Sequence, residues 1–253
     1  MIGQIISHYK IVEKLGEGST GSVYLAEDEK GGESVVLKML PANLATASLN
    51  TKGFLQDAGS ARALNHPNVG SVYGIEDSPE GAFVVREFVS GKALSENKGP
   101  LPVETVLTIA REIAAGLTAA HEKGMVHRDI ESETIILTDA GHVKIMDFGV
   151  GRLSDDSHST DPSARIGSPA YLSPEQVEDG EAGKASDLWS LGVVLYELLT
   201  GELPFKGEPE AALLYEILNA PPGEISRFRS DVPGHLEKLV SRLLEKDPAC
   251  RPG

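Results

Sequence analysis

Several kinds of residue are scarce in this chain, and each scarcity excludes something. There is one cysteine, Cys250, among 253 residues, which rules out an internal disulfide framework and fits a reducing compartment. Cations are few: 23 Lys and Arg face 38 Asp and Glu, for a formal charge of -15. Binding a phosphate backbone needs clustered Lys and Arg, so nucleic acid is excluded as the expected partner. No stretch approaches the ~20 apolar residues of a membrane span, and MIGQIISHYK lacks the apolar centre of a signal peptide. The expectation is a cytoplasmic location, with no membrane span in this chain.

What is present is 40% hydrophobic residues, enough to bury a core in one large domain or two lobes. Their pattern changes along the chain. HYKIVEKLG, GSVYLAED and ESVVLKML alternate apolar and polar residues between glycine-rich or charged turns, which predicts strands. GGE at 31–33 suits a hairpin turn. A helix is expected at about 49–64, then two more strands in VGSVYGIED and GAFVVREFV, with Pro67 breaking the chain between. After SGKALSENKGPLP the period becomes helical. Val106, Ile109, Ile113, Leu117 and Ala120 form one stripe, with Pro102 near its start and Gly124 past its end. Leu188, Leu191, Leu195 and Leu198 form a second, stopped by Gly201. Core packing explains both stripes. A small β-rich lobe before a larger helical one follows from the pattern alone.

Chemistry enters with GEGSTGSV, whose glycines stand at 16, 18 and 21 ahead of Val23. Glycine lets a backbone approach phosphates closely and adopt positive φ. The motif lies between two predicted strands, whereas a dinucleotide-binding fold would follow it with a helix. Lys38, on the next strand, has Leu37 and Met39 on the opposite side, so it can share a face with the glycine turn. Downstream stand HRDIESET and MDFGV, with Asp147 eighteen residues after Asp129 and a strand pair, TIILT and HVKIM, between them. Two carboxylates on adjacent loops suit one general base and one ligand for magnesium, a hard ion that prefers oxygen.

In this order the motifs resemble those of the eukaryotic-type (Hanks-type) bacterial serine/threonine protein kinase family. The resemblance spans nearly the whole chain and extends through GSPAYLSPE and SDLWSLGVVLYELLTGELPF. It implies an α+β, bilobal protein-kinase fold, with an N-lobe at 1–89 and a C-lobe at 90–253. Family members continue past RPG into another helix, so part of the C-lobe is expected beyond Gly253. The resemblance makes Asp129 the catalytic base, Asp147 a Mg²⁺ ligand and Lys38 the lysine of the α- and β-phosphates. It places Leu15, Gly16, Gly18, Gly21 and Val23 over ATP, and Val23, Val36 and Ile136 around the adenine. Glu87 and Val89 would offer it backbone groups. Glu175 and Arg251 would pair to fix the activation segment. The implied partner is a protein substrate with a Ser or Thr acceptor, and a regulatory homodimer is allowed.

Five positions depart from the family's pattern. Glu131 replaces a lysine that steadies the transferring phosphoryl group, and a carboxylate there repels it. Thr134 replaces an asparagine that binds magnesium; its hydroxyl can serve as a ligand but has a shorter reach. Asp57 replaces the helix glutamate that pairs with Lys38. Val36 replaces a smaller alanine above the adenine. Arg86 stands where a neutral side chain closes the back of the pocket; a buried guanidinium there needs an acid, either Asp57 or Asp147.

Arg128 matches an arginine that binds an activation-loop phosphate, and Ser157, Ser159, Thr160 and Ser163 are candidate acceptors. Ser168 stands where the family has a threonine that links the base to the replaced lysine. The resemblance implies transfer of the ATP γ-phosphate to Ser or Thr hydroxyls, slowed by these substitutions. The alternative is a pseudokinase that binds nucleotide or partners and acts as a scaffold or allosteric module. A small-molecule kinase of related fold is disfavoured, because GSPAYLSPE resembles a peptide-binding segment.

Overall fold

Alternating side chains in the first part of the chain build a six-stranded antiparallel sheet. Its strands are β1 (Ile5–Ile6), β2 (Tyr9–Gly18), β3 (Gly21–Asp28), β4 (Ser34–Met39), β5 (Val72–Glu76) and β6 (Phe83–Glu87), in the order β1-β2-β3-β4-β6-β5. The computed structural model describes residues 1–18, 21–40, 62, 64–148, 168–178 and 182–252. The helix expected at 49–64 lies almost wholly outside the described residues, as do Asp57 and the four candidate phosphate acceptors. The chain divides into two units, Met1–Ser90 with Met146–Gly167, and Gly91–Ile145 with Ser168–Gly253.

Strand register decides what each sheet face carries, because residues directly opposite each other share a face and neighbours along a strand alternate. Tyr24 pairs with Leu37 and Leu37 with Val85. These three join Ile6, Tyr9, Ile11, Ala26, Val35 and Phe83 in one buried cluster. Full burial of such side chains contributes roughly 1.5–3 kcal/mol each. On the opposite face Val23 pairs with Lys38, Lys38 with Val84, and Val36 with Arg86. One face is therefore the unit's core, and the other presents two cations among valines. The turn between β3 and β4 closes as GGE predicts: the Gly32 amide donates to the Asp28 carbonyl at 2.7 Å with φ +70°.

The second unit holds a three-stranded sheet, β7 (Gly91–Ala93), β8 (Ile135–Thr138) and β9 (Val143–Ile145), and most of the helices. These are α1 (Val103–Glu122), α2 (Pro174–Glu178), α3 (Lys184–Thr200), α4 (Glu210–Asn219) and α5 (Gly234–Leu243). Helix α1 buries the stripe read from the sequence. Helix α3 departs from its single stripe: Trp189, Val193, Val194, Tyr196 and Leu199 are buried as well, so the helix is enclosed on all sides. Gly201 ends it in the left-handed conformation, its amide donating to the Glu197 carbonyl at 2.7 Å.

Trp189 stacks on Phe205 with ring centroids 5.5 Å apart. Lys246 lies over both rings, 4.0 Å from the Phe205 centroid, and burial lowers its ammonium to about 8. Arg251 also lies over Trp189 and forks onto Glu175 with two bonds of 2.7 Å. Burial acts to raise the Glu175 carboxyl, but the bonds from Arg251 and Ser186 outweigh it and hold the group below its ordinary value of 4.5. The ion pair therefore stabilises the fold above that pH and loses its contribution as acid protonates the carboxylate. Replacing Glu175 by Gln would leave a buried guanidinium without its anion, at a cost of about 3–5 kcal/mol. Urea unfolding at pH 7 should show that loss, and the gap from the unsubstituted chain should narrow below pH 4.5.

Candidate active site

The glycine-rich motif is a hairpin of β2 and β3, with Gly16 opposite Val23 and Gly18 opposite Gly21. Gly21 has φ +114°, where an L side chain is strained, so this position requires glycine. Leu15 is exposed on β2. Val36 and Lys38 are buried, at 3% and 4% exposure, two residues apart on the same face of β4. Glu87 ends β6; its amide donates to the Ser71 carbonyl at 2.9 Å, and its carboxylate accepts the Ser71 amide at 3.0 Å. Val89, two residues on, is half-buried.

Three charged groups of the first unit converge. The Lys38 ammonium donates to Asp147 Oδ2 at 2.8 Å, and Arg86 Nη1 donates to Asp147 Oδ1 at 2.5 Å. All three side chains are largely buried, with side-chain exposures of 5%, 14% and 11% for Lys38, Arg86 and Asp147. Of the two acids available to Arg86, the structure pairs it with Asp147. Its Nε is buried without a hydrogen-bond partner, so the guanidinium is incompletely satisfied. Asp147 has φ +65°, a conformation uncommon outside glycine and concentrated at functional sites.

In the second unit the loop that carries Asp129 is held by a single acid. Asp187, wholly buried in the first turn of α3, accepts the His127 amide at 2.9 Å and the Arg128 amide at 2.8 Å. His121 Nε2 lies 2.7 Å from the same carboxylate. Arg128 takes φ +73°, and its carbonyl accepts from Gln176 Nε2 at 3.2 Å. The Asp129 amide donates to His127 Nδ1 at 3.2 Å, and Asp129 is half-buried beside the bend at Arg128. Sequence reasoning identified Asp129 but missed Asp187, His121 and Gln176. Asp187 lies within SDLWSLGVVLYELLTGELPF, yet no local pattern marks it.

Two substituted positions acquire definite contacts. The Thr134 hydroxyl accepts the Glu131 amide at 3.1 Å and lies 3.0 Å from the Asp129 carbonyl, to which it donates. It therefore closes the loop on itself. Glu131 is buried at 8% exposure, and its carboxylate accepts the Ser168 amide at 3.1 Å. The carboxylate thus ties the loop to Ser168, the position where the family's threonine makes a corresponding link. Beside them Glu197 accepts from Tyr171 at 2.7 Å and from the Ser132 hydroxyl. Burial, then the Glu197 charge, drives the Tyr171 phenol upward. Ile136 is half-buried on β8, opposite Ala93 and Lys144.

With this geometry in place, comparison with known proteins assigns the class: the chain belongs to the protein kinase domain family, which it matches over residues 9–253. The serine/threonine-protein kinase PrkC of Bacillus subtilis is 35% identical over 99% of this chain and 39% of its own length. PknL of Mycobacterium bovis is 36% identical over 97% of this chain and 62% of its own. The chain thus spans only part of the curated relatives it matches. A crystal structure of the Mycobacterium tuberculosis PknI kinase domain has a TM-score of 0.79 at 24% identity, covering 100% of this chain and 93% of that one. This likeness shows the protein kinase fold. No helix among the described residues is long and apolar enough to cross a membrane.

The Glu131 contact has a direct readout. A hydrogen bond to a charged group contributes about 1.5–3 kcal/mol, so Glu131→Ala should speed exchange of the Ser168 amide by roughly 10–100-fold. Amide exchange followed by mass spectrometry or NMR checks this. An unchanged Ser168 rate would show that the carboxylate does not hold that amide in solution.

Proposed function

We propose that this chain is the catalytic domain of an ATP-dependent serine/threonine protein kinase with slow turnover. The observation that carries the reading is the retained Asp129, on a loop pinned through two of its backbone amides by Asp187, in a chain of the protein kinase family. The names of the relatives support phosphotransfer over a scaffold role. The single cysteine and the need for ATP support the cytoplasm as the compartment in which this domain works.

The residues fit a nucleoside triphosphate. Lys38, Arg86 and Asp147 together carry one net positive charge on a sheet face whose glycine hairpin leaves room for a close approach. ATP would supply the γ-phosphoryl group. Lys38 neutralises phosphate oxygens, while Val23 and Val36 offer apolar surface to the base, Leu15, Gly16 and Gly18 cover the phosphates, and Glu87 and Val89 present backbone groups. Asp129 orients the substrate hydroxyl and takes its proton as oxygen bonds to the γ-phosphorus and the bond to the departing diphosphate breaks.

Magnesium is a different matter. Asp147 has the hard oxygen donors that magnesium prefers, but both of its carboxylate oxygens already hold a cation. The Thr134 hydroxyl, the other candidate ligand, is engaged by its own loop. In this arrangement the residues do not fit the metal.

Glu131 adds no positive charge to a transferring phosphoryl group. Loss of two preorganised stabilisers, ~10²–10³ each and not strictly additive, would lower a typical ~1–100 s⁻¹ to roughly 10⁻⁴–10⁻² s⁻¹. The decisive comparison is phosphate transfer to a generic basic protein by this chain and by Asp129→Asn, beside nucleotide binding measured by thermal shift. The variant should lose ~10²–10⁴ in rate and still bind ATP. Transfer that survives Asp129→Asn would remove the proposed base, and binding without any transfer would favour the scaffold.

A further inference from the structure

Arg86 gives the kinase reading a specific device. We infer that Arg86 acts as a resident cation on the metal-binding aspartate, so that a divalent ion reaches Asp147 only after this side chain has withdrawn. The inference rests on the kinase reading of the site and concerns its regulation.

The sheet register makes the contact a property of the fold. Arg86 stands opposite Val36 on β4 and Val72 on β5, and Lys38 lies two residues from Val36. Both cations therefore leave the same sheet face and meet the same carboxylate, one on each oxygen. A magnesium ion binds carboxylate oxygen at ~2.0–2.1 Å and demands near-octahedral surroundings. A guanidinium nitrogen 2.5 Å from that oxygen would then lie roughly 4 Å from a dication, a strongly repulsive pairing in a partly buried site. A lysine or histidine could relieve the conflict by losing its proton. Arginine keeps its charge at any relevant pH, so Arg86 has to move.

The side chain is suited to moving. Its Nε is buried without a partner, and the pair with Asp147 runs through Nη1 rather than a two-bond fork. Compare Arg251, whose guanidinium forks onto Glu175 and also donates to backbone carbonyls. Arg251 is built in as a fixture, whereas Arg86 is held chiefly by charge. Once Arg86 leaves, Lys38 still balances Asp147. The phosphates of a nucleotide would offer the displaced guanidinium an anionic destination, so nucleotide binding should precede metal binding.

The test titrates Mn²⁺, followed by EPR, into the chain with and without saturating ADP, for the unsubstituted protein, Arg86→Met and Arg86→Gln. Two neutral replacements guard against one of them folding poorly, and Asp147→Asn sets the background for metal at this site. Both neutral variants should bind Mn²⁺ at least ~10-fold more tightly than the unsubstituted chain, and Arg86→Lys should fall between them. Equal affinities in the unsubstituted chain and both neutral variants, with and without ADP, would overturn the inference. ADP binding in the presence of EDTA separates this outcome from the parent reading. If no form binds nucleotide but the metal affinities differ as stated, the gate stands and the kinase reading falls.

Discussion

A buried carboxylate in the first turn of α3 sets the position of everything chemical in the second unit. Asp187 is wholly enclosed, and an anion there is sustained by the positive end of the helix and by donors that cannot find water. Those donors are the two consecutive backbone amides of His127 and Arg128, joined by the ring of His121. A loop anchored through its backbone is held regardless of its side chains. Arg128 can therefore sustain positive φ and Asp129 can project at the bend, even though neighbouring side chains have changed. Enclosure of α3 on all sides follows the same logic, since a helix that locates a catalytic loop gains by being immobile.

The first unit solves a different electrostatic problem. Its sheet has one apolar face that makes the core and one that carries Lys38 and Arg86. Two cations on a partly buried surface need an anion, and Asp147 supplies it. Removing water strengthens each of these attractions and raises the cost of leaving any charge alone. The result is a small cluster with net positive charge, which favours an anionic ligand. It also makes the site unwelcoming to a free divalent ion.

Much of this architecture was legible in the sequence, for physical reasons. β2 to β6 are long enough for alternation to register, and α1 carries an uninterrupted apolar stripe. β1 and β7, with two and three residues, are too short to show a period. α4 carries Leu213, Leu214, Ile217 and Leu218 at helical spacing, although only Ile217 is fully buried. α5 had a signal too, Leu236, Val240 and Leu243 at helical spacing, that was open to notice. At the site, residue types revealed the chemistry but not the contacts. Arg86 demanded an acid, and two were equally available until the fold brought Asp147 to it. Glu131 read as a charge of the wrong sign; its bond to the Ser168 amide joins positions 37 residues apart, which no local pattern encodes.

That bond also bears on how such a site changes over generations. A glutamate that fastens the Asp129 loop to Ser168 cannot be exchanged for a cation without loosening both. Placing a lysine at 131 would release the fastener, because an ammonium has no lone pair with which to accept the Ser168 amide. Because the bond comes from the Ser168 backbone N–H, the fastener does not depend on the side chain at 168. Position 131 is therefore constrained from 37 residues away along the chain, while position 168 accepts any residue that keeps its N–H.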